Sequence, residues 1–283
     1  MQSTALRVLQ VSRPALLAHT RGAYDADTAE AYVDVLKGLC APEPTYSDRQ
    51  LFALFQSQCA ARVPRPVRAV EDPAKLAGQA TQIARTLSHM CPGYNASDTH
   101  VYVDVGGGDG RKAAAVASEL KLNVPPHVLE ERSVGAHGNW GLLSRSAACL
   151  YDTYDARDPF PYADASVTLM TLLNVVHHVH NVKHLFDEVY RCLRPGGVLV
   201  LRDHNAQSRQ LCDMLRVAHL VMAADERYPE GVNLDCVFGY YVGMGWVQTC
   251  GVNSGLRMTG KSQGRHSLGA GYWMYFVKLP AEK

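Results

Sequence analysis

The chain has 283 residues, of which 47% are hydrophobic and 19% charged, a composition that supplies a full buried core and excludes a disordered polymer. A formal net charge of +1 excludes a global field that would steer the chain to nucleic acid or an anionic membrane, leaving only local basic patches. The eight cysteines are scattered with no CxxC pair, which fits reduced thiols in an intracellular, cytoplasmic setting better than a disulfide framework or a zinc site.

The opening run MQSTALRVLQVSRPALLAH lacks a charged segment followed by a long apolar stretch and a cleavage site, so no secretion signal is expected. From Tyr24 to Cys40 apolar residues recur at helical spacing until Pro42 and Pro44 stop them. Ser47 and Gln50 have capping-box spacing before LFALFQSQCAARV, and Asp72-Pro73 opens a further helix, AKLAGQATQIARTLSHM, that ends before Pro92. Residues 1–97 are therefore expected to form a helical segment, with a second domain over 98–283.

At Thr99 the texture changes to β-branched and apolar runs alternating with helical stretches, the signature of an α/β fold with a mostly parallel sheet. Strands are expected near 100–105, 126–130, 167–173 and 197–202. Trp246 to Val252 and Tyr272 to Leu279 read as a closing hairpin joined by a Gly/Ser-rich loop. The most apolar run, Val167 to Val176, is too short to span a bilayer, and no membrane partner is expected.

The stretch HVYVDVGGGDGRKAAAVASEL reads as strand, glycine turn and helix, with Asp104, Gly106, Gly108 and Gly110 at the junction. Glycines let the backbone turn sharply and approach a ligand, and the following helix presents free N–H groups, so a nucleotide-like ligand fits. Gly108-x-Gly110-x-x-Ala113 also satisfies a dinucleotide fingerprint, with Glu130 at the distance of a ribose acid. Asp104 decides between them. An acid at the strand end crowds a pyrophosphate, whereas it suits S-adenosylmethionine, which carries an ammonium and a sulfonium and no phosphate.

This stretch resembles the first motif of class I, type 11-like methyltransferases, and three further blocks between residues 100 and 205 resemble the same family in the same order. The resemblance implies a Rossmann-like, mostly parallel seven-stranded sheet with helices on both faces, S-adenosylmethionine as cofactor, and residues 1–97 as a substrate-covering cap. In HVLE, Glu130 would accept hydrogen bonds from both ribose hydroxyls; in YDARDPFPYADASVTLM, Asp155 with Ala156 would hold the adenine. LFDEVYRCLRPGGVLVLRDHN resembles the family's helix, LRPGG turn and fifth strand. A nicotinamide oxidoreductase and a catalytically silent, partner-binding relative are the competing readings.

The fourth strand of this family ends beside the cofactor's methyl group, which makes Asn174, His177 and His178 site candidates, Asn174 on the cofactor side. His180 and His184 lie one helical turn apart, but no carboxylate or cysteine completes a set, so no metal is expected. After the fifth strand, Asp203, His204 and Asn205 occupy the sheet's carboxyl end, where ligands bind in open α/β folds. His178, His204 and Asp203 are the acid-base candidates and Asn205 a substrate contact.

The Lys-Asp-Lys-Glu tetrad of ribose methylation and the Asn/Asp-Pro-Pro-Tyr/Phe motif of amino methylation are both missing. Arg202 to Asn205 resembles a segment in methyltransferases of large DNA viruses. The run NSGLRMTGKSQGRHSLGAG, from Asn253 to Gly271, contains Arg257, Lys261, Arg265 and His266 with no acid. Read as a flexible loop, it suits phosphate contacts by Arg257, Lys261 and Arg265. The acceptor expected from these cues is RNA, a cap structure among the candidates, with a small molecule as the alternative.

Overall fold

A computed structural model describes the chain except residues 22, 41–44, 64–65, 67–71, 133–144, 156, 227–231, 267–268 and 281–283; the side chains of 265, 266, 269 and 270 are also outside the description. Four helices come first: α1 (Gln2–Thr20), α2 (Ala26–Leu39), α3 (Asp48–Arg62) and α4 (Pro73–Met90). Both expected starts are present. Ser47 and Gln50 form the reciprocal capping box of α3, and the Asp72 side chain accepts from the Ala74 N–H at the start of α4, with Pro73 at its first position. Helix α1 lies within the segment expected to be helical, though no start or stop signal marks it; Pro14 lies inside it and its backbone breaks at Ser12.

Among the described residues, seven strands then form one sheet: β1 (Tyr102–Val105), β2 (His127–Glu131), β3 (Leu150–Tyr154), β4 (Val167–Leu173), β5 (Leu193–His204), β6 (Leu256–His266) and β7 (Gly269–Lys278). Their order is β3-β2-β1-β4-β5-β7-β6. The first five run parallel, while β7 pairs antiparallel with β5 and β6 with β7. The remaining helices are α5 (Arg111–Glu119), α6 (Val182–Cys192), α7 (Arg209–Met222), α8 (Leu234–Phe238) and α9 (Met244–Asn253).

Alternation along the strands builds two layers on the sheet. Val103, Met170, Leu199 and Phe276 face α6 and α9, while Tyr102, Leu169, Val200 and Tyr275 face α4 and α5. Helices α1, α2 and α3 share a separate apolar cluster with α7 and α8. That cluster lies past the carboxyl end of β5, because α7 follows directly from it. No helix of the described residues is long and apolar enough to cross a membrane.

Two expectations about the C-terminal part are corrected. Trp246 to Val252 is helical, within α9, not a strand. Its β-branched residues invite the strand reading, but burial follows the helical period: Val247 and Gly251 are buried, and Trp246 and Val252 are exposed. Gly251 meets the sheet so closely that an added Cβ would sit 2.8 Å from the Phe276 ring. The supposed loop from Asn253 to Gly271 is largely strand β6 and the start of β7. Its small and charged residues are those of a polar sheet edge.

Candidate active site

The first half of the site is the turn from β1 into α5. Gly106, Gly108 and Gly110 have φ of +66°, +60° and +76°, the left-handed region that only glycine enters without strain. Gly106 and Gly110 also have packing reasons to lack a side chain, since a Cβ would lie 2.6 Å from Val175 Cγ2 in one case and from the Tyr151 hydroxyl in the other.

Beneath this turn Asp104 is only 1% exposed. The Thr171 hydroxyl donates to its Oδ1 at 2.5 Å, while Oδ2 has no hydrogen-bond partner among the described residues and lies against Gly107. Burial pushes the Asp104 carboxyl up to about 6. At the end of β2, Glu130 accepts from the Gly108 N–H at 2.5 Å, and burial pushes it up to about 7. Two strained carboxyls and a bare glycine backbone fit a cationic, hydroxyl-bearing cofactor: the cation offsets the buried negative charge, and hydroxyl donors favour the ionised form of Glu130.

The shift of Glu130 has a consequence for stability. Below pH 4.5 the group is protonated whether the chain is folded or not. Between pH 4.5 and about 7 the unfolded chain releases its proton while the folded one keeps it, so folding stability falls as pH rises through this window. Glu130→Gln is expected to be more stable than wild type by an amount that grows on the order of 1–3 kcal/mol from pH 4.5 to 7.5 without cofactor. Urea unfolding of both proteins at the two pH values measures it; a difference independent of pH would contradict it.

Asp155 follows β3, half-exposed, with the Arg132 guanidinium 3.5 Å away. Ala156 lies outside the described residues. Asn174 ends β4 with φ +64°, rare for a residue with a side chain; its N–H donates to the Arg202 carbonyl at 2.7 Å, and its buried Oδ1 has no partner among the described residues.

The second half of the site lies where β4 and β5 end. A single 3-10 turn after β4 carries His177 and His178, and the last residues of β5 are Asp203 and His204. Asp203 Oδ1 accepts from the His177 ring Nδ1 and from the His204 backbone N–H, each at 2.6 Å; Oδ2 accepts from the His177 backbone N–H at 3.2 Å. Burial raises the Asp203 carboxyl to about 6 against the pull of these donors. His178 Nδ1 lies 2.6 Å from the Cys236 carbonyl, and burial pushes the ring below the usual histidine range. Asn205 is buried; its Oδ1 accepts from the Met244 N–H at 3.2 Å, and its Nδ2 has no partner among the described residues.

Two more histidines arrive from the helical layer: His19 from α1 and His219 from α7. Ring centroids of His177 and His219 are 5.1 Å apart, and those of His19 and His204 are 6.1 Å apart. Burial, then the neighbouring histidines, pushes His219 well below its ordinary range. Tyr241 stacks on His177 with centroids 5.0 Å apart. Sequence reading selected His177, His178, Asp203, His204 and Asn205; it missed His19, His219 and Tyr241, which no spacing links to the strand ends.

The basic residues are placed elsewhere. Arg257 and Lys261 are exposed on β6, the sheet's far edge, and Lys261 Nζ donates to Gln248. Arg257 pairs with Val277, which pairs with Val198, so it aligns with the beginning of the core of β5 rather than with the end that carries His204. The side chain of Arg265 lies outside the described residues.

The strand order, the glycine turn after β1 and a strand-end acid on β2 are those of a Rossmann-like fold. Residues 103–201 match the family model described as a methyltransferase domain. Over 134 residues, 47% of this chain, the sequence is 28% identical to the 27-O-demethylrifamycin SV methyltransferase of Amycolatopsis mediterranei; that match spans 48% of the relative, about half its length. An O-methyltransferase family protein from Burkholderia thailandensis has the same fold at 12% identity and a TM-score of 0.52, covering 91% of this chain and 73% of its own. Phosphoethanolamine N-methyltransferase 2 of Haemonchus contortus, solved with S-adenosylhomocysteine, aligns at 13% identity and a TM-score of 0.49, over 72% of this chain and 53% of its own. Residues 103–201 are thus a methyltransferase domain of the type 11 kind, with S-adenosylmethionine as cofactor.

Proposed function

We propose that this chain transfers the methyl group of S-adenosylmethionine to a small organic molecule held beneath the α1–α3, α7 and α8 helices. The observation that carries the reading is the closure of the strand-end cluster. His177, Asp203, His204 and Asn205 are 3%, 2%, 7% and 1% exposed, roofed by helices that bring His19 and His219 onto them. A polymer needs an open groove; a small acceptor can be enclosed. The RNA expectation rested on a flexible basic loop, and that segment is a strand at the sheet's far edge. The Amycolatopsis relative, named for a rifamycin substrate, leans the same way.

The cofactor supplies a sulfonium-activated methyl group, so the chain's main task is alignment of the acceptor. Asp104, Glu130, Asp155 and Asn174 would hold the cofactor, with Gly106, Gly108 and Gly110 letting the backbone approach. For a hydroxyl acceptor, His204 would take the acceptor's proton as its oxygen receives the methyl group that the cofactor supplies. Asp203 fixes that corner by holding the His204 backbone and the His177 ring. The cap would comprise helices α1–α3 with α7 and α8, while α4 belongs to the layer on the sheet.

Incubation with radiolabelled methyl donor and, in parallel, a metabolite extract, capped RNA and uncapped RNA tests the acceptor class. Label is expected in the small-molecule fraction alone. Label in RNA, with RNA binding that weakens as salt rises, would return the acceptor to nucleic acid.

A further inference from the structure

We propose that His177, His178 and His219 form a binding site for one divalent transition-metal cation of the zinc class. The three rings make a compact triangle, with centroid separations of 4.1, 5.1 and 5.2 Å, and one ligand nitrogen from each falls within 4.8 Å of the other two. Two residues come from the turn after β4 and the third from α7, so the site ties the catalytic domain to the helical layer.

The outer contacts point to metal ligation more than proximity does. A histidine that binds a metal through one nitrogen characteristically donates the other N–H to a carboxylate or carbonyl, which fixes the ring. All three rings are held this way through Nδ1. His177 Nδ1 lies 2.6 Å from Asp203 Oδ1, His178 Nδ1 2.6 Å from the Cys236 carbonyl, and His219 Nδ1 3.0 Å from the Leu215 carbonyl. For His177 and His178 this leaves Nε2 as the ligand atom; His219 Nε2 also meets the Tyr241 hydroxyl at 3.3 Å, a contact the cation would replace.

The Tyr241 hydroxyl touches the His219 ring, 2.5 Å from Nδ1 and 3.3 Å from Nε2, and would sit at the margin of the site. Asp203 itself serves as the orienting group, because its oxygens already accept from three N–H donors. The buried carboxylate behind His177 also balances part of a cation's charge.

Three imidazoles, with no fourth protein ligand among the described residues, are the donor set of a site that keeps a position open. Tetrahedral zinc places its nitrogens about 3.3 Å apart, within reach of small rotations of rings whose ligand atoms already lie within 4.8 Å of one another. Imidazole donors suit zinc, cobalt, nickel and iron(II), and exclude magnesium and calcium, which take oxygen ligands. His180, whose helical spacing with His184 is apparent in the sequence, takes no part: it is exposed, and its Nδ1 contacts the Tyr240 hydroxyl.

The full chain, stripped with a chelator and dialysed, is titrated with cobalt chloride and then with zinc chloride, without any methyl donor. One equivalent of cobalt is expected to bind with the visible absorption of a low-coordinate nitrogen site, and zinc is expected to displace it. His219→Phe keeps ring volume and should weaken binding by at least about 100-fold, whereas His180→Ala should leave it unchanged. Should His219→Phe not fold, nitrogen-15 spectra of the wild type decide, since zinc must shift the Nε2 resonances of these three histidines. Absence of saturable cobalt and zinc binding, unchanged binding by folded His219→Phe, or unmoved histidine resonances would overturn the site. None of these readouts depends on methyl transfer, so the metal site and the proposed function stand or fall separately.

Discussion

Gly108→Val is expected to abolish S-adenosylmethionine binding, weakening it by more than about 100-fold, while the protein remains folded. Gly108 has φ +60°, where a β-branched side chain clashes with its own backbone, and its N–H is the donor that holds Glu130. Valine either moves the turn out of that conformation, releasing Glu130, or places its methyl groups where the cofactor must lie. The hydrophobic layers on the sheet do not include this turn, so far-ultraviolet dichroism should match the wild type. Calorimetric titration measures the affinity. Wild-type affinity in the folded variant would mean that the cofactor does not use the glycine turn.

Asp203→Asn is expected to lower turnover about 100-fold or more and to change cofactor affinity less than about threefold. The carboxylate accepts from the His177 ring, the His177 backbone and the His204 backbone; an amide offers one acceptor oxygen and turns its NH₂ group toward donors. The His177 ring and the His204 main chain lose their fixed positions, whereas the glycine turn lies at a different strand end. Leaving a buried donor unsatisfied should also cost on the order of 1–3 kcal/mol of stability, which urea unfolding would register. Unchanged turnover under single-turnover conditions would remove Asp203 and its partners from the reaction.

Much of this architecture is legible in the residues. A glycine turn between an apolar strand and a helix has few alternatives, and strands buried on both faces, such as Val167–Leu173, stand out as continuous apolar runs. Helix starts marked by Ser47 and Asp72 are legible because the capping side chains act locally. Edge strands are not. Tyr151 to Tyr154 mixes polar and aromatic residues with little alternation, and β6 carries Gly, Ser and Lys because, among the described residues, one of its sides has no partner strand.

The strand-end cluster of the candidate site was half legible for a related reason. Asp203 and His204 follow a recognisable strand, but their pairing with His177 depends on how far two neighbouring strands extend. His219 and His19 arrive through helix packing on the strand ends, which leaves no periodic trace. The left-handed backbone at Asn174 is likewise set by its hydrogen bond to Arg202, on the adjacent strand.

The most direct test of the central claim is calorimetric titration of the wild-type chain with S-adenosylmethionine, S-adenosylhomocysteine and NAD in parallel. Saturable one-to-one binding of the first two is expected, each weakened by Asp155→Ala through the adenine they share, with no binding of NAD. Saturable NAD binding without S-adenosylmethionine binding would contradict it and make the glycine turn a dinucleotide site.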